Sequence, residues 1–121
     1  MPPTFAPGKI AYVQIPSTDV DSSAAFYESV FGWNIRRRSD GEIAFDDGVG
    51  EVSGTWVTGR PPLSEPGLLI YVMVDSVEES LEKIVRAGGE VVKPLTPQSE
   101  GEAFATFRDP DGNVLGVFHQ P

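Results

Sequence analysis

Two rhythms of apolar residues alternate along the chain, and each half runs through them in the same order. Ile10 to Ile15 is an Ile/Val-rich run of strand character within residues 8–15. Residues 21–31 switch to the helical period, with Phe26, Tyr27, Val30 and Phe31 on one stripe and Ala25, Glu28 and Ser29 elsewhere. Strands are predicted near 34–38, 42–46 and 51–58, joined by Ser39-Asp40-Gly41 and Asp46-Asp47-Gly48, whose Gly and Asp suit the positive φ of hairpin connections. Leu68 to Val74, within a strand over 67–74, opens the second half. Val77, Leu81, Ile84 and Val85 then fall at i, i+4, i+7 and i+8 of a helix over 77–87, and strands near 90–92, 102–107 and 113–119 follow.

The helix punctuation repeats as well. Asp19 or Asp21 can cap the first helix and Gly32 end it, while Ser76 with Glu79 has capping-box spacing and Gly88-Gly89 ends the second. From Asp19 to Gly32 and from Asp75 to Gly88 the interval is 13 residues both times, so one β-α-β-β-β unit is duplicated. The expected class is α+β, a single domain over 1–121 with unit one about 8–58, a Pro-rich connector at 59–66 and unit two about 67–119. Residues 93–101 read as a polar loop, and Asp109-Pro110-Asp111-Gly112-Asn113 as a tight turn.

Composition narrows the function. A chain of 121 residues with 40% apolar content can bury one ordinary core. No apolar run approaches the ~18 residues of a membrane span. The start (Pro2, Pro3, Pro7) lacks the basic and apolar regions of a secretory signal, so the expected location is cytoplasmic and no membrane partner is expected. The absence of cysteine removes disulfides and Cys-ligated zinc. A net charge of −9 would repel phosphate backbones, which argues against nucleic acid. The one dense basic run, Arg36-Arg37-Arg38, lies on a predicted strand whose residues face opposite sides, as a solvated edge strand would.

Three pieces then carry a family resemblance: Asp19-Val20-Asp21-Ser22-Ser23-Ala24-Ala25-Phe26-Tyr27-Glu28-Ser29-Val30-Phe31-Gly32-Trp33; Val74-Asp75 followed by Ala87-Gly88-Gly89; and Phe107-Arg108 running into the Asp109–Asn113 turn. In that order and spacing the chain resembles the vicinal oxygen chelate superfamily, the glyoxalase, bleomycin-resistance and extradiol-dioxygenase group, from about residue 8 to 119. The resemblance implies two units side by side, their sheets curled into a cup. It also implies, for the enzymes of the group, a divalent metal held by His, Gln or Glu from the first and last strand of each unit. Carried over by spacing, those positions fall on Tyr12, Leu69 and Gly116, and on Val52 or Gly54 in the fourth strand. None is a carboxylate or imidazole, so no metal, other cofactor or catalytic residue is assigned, and the family's enzymatic reading loses its Lewis acid.

What remains for the cup is an aromatic and amide lining. By resemblance and parity, Tyr12 and Gln14, with Ile10, share one face, and Leu69, Tyr71 and Met73 share another; Trp56 and Phe118 could complete the wall, with Phe104 or Phe107 joining from the seventh strand. Such a surface suits a flat organic ligand. The plain alternative is that these aromatics are core, as Phe26, Tyr27, Phe31 and Trp33 are expected to be on the helix side. His119, the only histidine, points opposite to Gly116 and is expected to be structural. Asp46, Asp47 and Glu51 lack a full calcium ligand set, Ser53-Gly54 lacks nucleophile-elbow spacing, and Gly48 and Gly50 precede no Lys-Ser/Thr.

The expected function is that of a small-molecule-binding protein without a catalytic metal, binding or sequestering an aromatic or hydrophobic ligand, with a homodimer possible. The alternative is a divalent-metal-dependent glyoxalase/lyase or dioxygenase with atypical ligands. A third reading is an accessory domain acting through protein contacts. The acidic surface implies a mild preference for cationic drugs at low salt.

Overall fold

The computed structural model describes residues 3–121; Pro2 of the Pro-rich start lies outside them. The chain divides into two compact units at the Pro61–Pro62 bond, inside the expected connector. Each is a β-α-β-β-β module with its own four-stranded mixed sheet. Among the described residues no helix is long and apolar enough to cross a membrane.

The first unit runs β1 (Tyr12–Pro16), α1 (Val20–Phe31), β2 (Asn34–Arg37), β3 (Ile43–Asp46) and β4 (Ser53–Val57). Its sheet order is β1-β4-β3-β2, with β1 parallel to β4 and the other pairs antiparallel. Helix α1 starts where the Asp19 carboxylate accepts the Ser22 N–H at 3.3 Å, and stops at Gly32, whose φ of 70° favours glycine. Its apolar stripe packs into an aromatic cluster on one face of the sheet. Tyr27 stacks on Trp33 with ring centroids 4.8 Å apart, Trp33 stacks on Phe45 at 4.5 Å, and Phe45 meets Trp56 at 4.8 Å. Gly54 makes room for this, since a Cβ there would overlap the Phe45 ring and the Val13 carbonyl.

The second unit runs β5 (Tyr71–Met73), α2 (Val77–Arg86), β6 (Glu90–Pro97), a 3₁₀ turn at Ser99–Gly101, β7 (Ala103–Arg108) and β8 (Val114–His119), in sheet order β5-β8-β7-β6. The Ser76 hydroxyl accepts the Glu79 N–H at 3.1 Å and caps α2, as the capping-box spacing predicts. Val77, Ile84, Phe107 and Val117 are fully buried beneath or along α2. The stripe is rotated from the expected one: Val85 is 54% exposed and Ser80 takes the buried place.

Several boundaries differ from expectation. β1 starts at Tyr12, leaving Ile10 outside it and exposed, and β5 holds only residues 71–73, with Leu69 before it. The polar loop expected at 93–101 is mostly strand, because β6 is an edge strand that absorbs Pro94 within the register shift between Lys93 and Thr96, where no ladder N–H is required. The second half of the connector belongs to the second unit: the Leu63 N–H donates to Asn113 Oδ1 and the Val114 N–H to the Leu63 carbonyl, both at 2.8 Å.

Candidate functional site

Strand register sorts the side chains of the first unit onto two faces. Tyr12, Ser53, Asp46 and Asn34 form one cross-strand row, and Gln14, Thr55, Ala44 and Arg36 the next, both on the face away from α1. Trp56 pairs with Ile15 and is buried in the α1 cluster, so its expected place in the ligand wall is corrected: one step of parity puts it opposite to Tyr12 and Gln14. Tyr12 and Gln14 do share a face and are exposed.

The same face carries a charged cluster that the sequence reading did not assemble. Arg36 Nε and Nη2 donate to Asp46 Oδ2 and Oδ1 at 2.8 and 3.0 Å, a side-on fork. Ser53 Oγ donates to Oδ1 at 2.7 Å and Asn34 Nδ2 to Oδ2 at 3.2 Å, so each carboxylate oxygen accepts two hydrogen bonds. These bonds, the Arg36 one foremost, hold the Asp46 carboxyl at about 2, against the partial burial that would raise it. Arg36 in turn keeps its proton more tightly than usual, chiefly through its bond to Asp46, with smaller contributions from the Asp46 charge and from Tyr12. Arg37, on the other face, pairs with Asp21 of α1 at 3.1 Å, so alternation separates the arginines as expected. The signal was available: a hairpin turn that pairs Arg37 with Ile43 necessarily sets Arg36 and Asp46 on one face.

The second unit presents an aromatic face. Tyr71, Gly116, Thr106 and Lys93 form one row, and Met73, Phe118, Phe104 and Thr96 the next. Tyr71 and Met73 are 44% and 67% exposed, while Phe104 and Phe118 are half-buried. Tyr71 meets Phe104 edge to face at 6.2 Å, and Lys93 Nζ stands 5.1 Å from the centre of the Phe104 ring. Of the two phenylalanines left open on β7, Phe104 lies here and Phe107 is buried on the α2 side. Leu69 is half-buried ahead of β5.

The two modules can be superposed residue by residue at their last hairpins. The Asp47 N–H donates to the Val52 carbonyl as the Asp109 N–H does to the Asn113 carbonyl. Asp46 therefore corresponds to Arg108, Ser53 to Val114, and Thr55 to Gly116. The fourth-strand position is thus Thr55, not Val52 or Gly54: the first hairpin is one residue longer, Val52 precedes β4, and Gly54 faces α1. The four positions are Tyr12, Thr55, Leu69 and Gly116. Thr55 donates its hydroxyl to the Ile43 carbonyl at 2.6 Å, and the Tyr71 ring fills the space at Gly116. Asp46 has its oxygens engaged, and among the described residues no three His, Cys, Asp or Glu gather into a metal-ligand group. These residues do not fit a divalent cation.

Other candidates resolve into structural roles. Asp47 Oδ1 accepts the Glu51 and Val52 N–H groups of its own turn, and the Glu51 carboxylate accepts the Thr4 N–H and hydroxyl. His119 Nδ1 accepts the Val77 N–H at 2.9 Å, serving the first turn of α2.

Comparison with known proteins gives a consistent picture. The family model described as Glyoxalase/Bleomycin resistance protein/Dioxygenase superfamily matches residues 9–117. A Neisseria meningitidis serogroup A protein named lactoylglutathione lyase is 30% identical over 117 residues, covering 86% of this chain and 85% of its own length. Among solved structures, FosX, a fosfomycin resistance protein from Listeria monocytogenes, superposes with a TM-score of 0.76 at 19% identity, covering 94% of this chain and 92% of that one. TnmS3, an antibiotic binding protein from Streptomyces sp. CB03234, superposes with a TM-score of 0.71 at 22% identity, covering 98% of this chain and 100% of that one. At these identities the structural likeness shows the fold.

Proposed function

Because the chain belongs to the glyoxalase/bleomycin resistance protein/dioxygenase superfamily, we propose that it serves this fold's binding role: it holds a flat aromatic or hydrophobic organic ligand against a helix-free sheet face, without a catalytic metal. The observation that carries this is the exposed group of Tyr71 and Met73 beside Phe104 and Phe118. Large apolar side chains that reach solvent together cost burial energy unless something covers them, and rings with a hydroxyl tip suit a planar ligand. The helix-free face of the first unit, taken by itself, exposes the polar groups of Tyr12 and Gln14. The antibiotic-binding relative with the same fold supports a sequestering role.

A metal-dependent lyase is the second reading, favoured by the 30% identity to the Neisseria protein. It requires a divalent ion that Tyr12, Thr55, Leu69 and Gly116 do not supply. Elemental analysis after incubation with nickel, zinc, iron or manganese separates the two, and tight stoichiometric metal would sink the binding reading. A thermal-shift screen of aromatic and quinoid compounds on wild type, Tyr12→Ala and Tyr71→Ala tests the faces directly. The expected result is stabilisation that weakens in Tyr71→Ala; shifts indifferent to both substitutions remove the assignment.

A further inference from the structure

The Arg36 cluster has a chemistry that its neighbours do not exhaust. Asp46 takes Nε and one Nη2 hydrogen of the guanidinium. One Nη1 hydrogen and the second Nη2 hydrogen form the end edge of the same rigid plane, the other Nη1 hydrogen turns back toward Cδ, and no partner among the described residues meets them. The side chain is 45% exposed, against 22% for Asp46. The carboxylate is saturated, by Arg36 on both oxygens, by Ser53 and by Asn34. The unused hydrogen-bonding capacity of the cluster is therefore a donor edge, planar, cationic and fixed in direction.

The duplication supplies an internal comparison. The corresponding corner of the second unit holds Arg108 and Glu90, joined by a single hydrogen bond of 2.7 Å. Val114 stands there in place of Ser53 and supplies no donor. That corner is an ordinary exposed ion pair, of the kind worth little to stability. In the first unit two further donors have been added to one carboxylate, which fixes the arginine rather than merely pairing it. A guanidinium held on one edge by a buttressed carboxylate presents its other edge as a fork matched to two oxygens.

We propose that Arg36, on the helix-free face of the first unit that also carries Tyr12, is a recognition site for an organic oxyanion, the carboxylate or acidic hydroxyl of an aromatic ligand. This rests on the ligand-binding reading above and deepens it, naming a polar group that the ligand would carry. The net charge of −9 does not oppose it decisively. That repulsion is screened over roughly 10 Å, whereas the fork acts at contact. The mild preference for cations expected from surface charge is then reversed by one local group.

The test uses matched pairs differing only in the anion: naphthoate with its methyl ester, and anthracene carboxylate with its methyl ester. Binding is measured by calorimetry at neutral pH on wild type, Arg36→Gln, Arg36→Lys and Tyr71→Ala, each first shown to be folded by thermal denaturation. A charge-assisted bond predicts that wild type prefers acid to ester by about tenfold to a hundredfold. Arg36→Gln brings the acid to the affinity of the ester, and Arg36→Lys, which keeps the charge and loses the fork, retains only part of the preference. Equal affinities in wild type, or a preference that survives Arg36→Gln, overturn the Arg36 site; if ester binding then still weakens in Tyr71→Ala, the broader ligand-binding reading stands. Binding of neither member of either pair overturns both.

Discussion

The ring of Tyr71 lies against Gly116, in the space where any side chain at position 116 would have to begin. The atoms that a Cβ would meet include Cγ, close to the tyrosine backbone, so the ring cannot simply swing its far end aside. Gly116→Ala is expected to cost about 1–3 kcal/mol by overpacking. In a Tyr71→Ala background the same substitution should cost much less. Urea denaturation of the four proteins in this double-mutant cycle checks it, and additive costs would contradict the close approach.

Trp56 is a core residue of the first unit, and its truncation should show it. Trp56→Ala removes a ring packed against Tyr27 and Phe45 and is expected to lower stability by about 3–5 kcal/mol. Tyr12→Ala, on the exposed face, should cost far less. Equal costs in chemical denaturation would overturn the division of the sheet into a buried core face and an exposed face.

Asp46 sets a pH window. Its carboxyl is held at about 2 in the folded chain and rises to its ordinary value of roughly 3.9 on unfolding. Because the folded value is the lower one, its contribution is complete above about pH 4 and is lost as pH falls toward about 2. The stability gap between wild type and Asp46→Asn should therefore narrow across that interval. A gap of constant size from pH 6 to pH 2, followed by denaturant titration, would contradict the fork.

His119 acts as an acceptor at the start of α2. His119→Ala leaves the Val77 N–H without that partner and should cost about 0.5–2 kcal/mol, the range of a lost helix cap. A stability unaltered in His119→Ala would mean the bond contributes nothing.

What the sequence makes legible is what has a period. The two helices, their Asp19 and Ser76 caps, the hairpin turns and the duplication all follow from local spacing, and the α+β class follows from their order. Trp56 was misplaced because one step of parity moves a side chain through the sheet, and the β3–β4 connection is one residue longer than its counterpart, which counting alone does not detect. Position 55 was missed for the same reason. Arg36 and Asp46 lie 10 residues apart across a turn, and their meeting depends on cross-strand register more than on either residue's neighbours. β6 exceeded its expected length because prolines read as breakers, although an edge strand tolerates them.

That last feature bears on how the protein avoids its own kind. β6 is the longest strand among the described residues and sits at the margin of its sheet with Val91, Val92 and Leu95 exposed. A straight margin of that composition would invite a neighbouring chain to add itself as the next strand. Pro94 and Pro97 remove two amide donors, and the two register shifts break the regular spacing of those that remain. An incoming strand would find no continuous ladder to join, so this border can stay apolar without becoming a seed for aggregation.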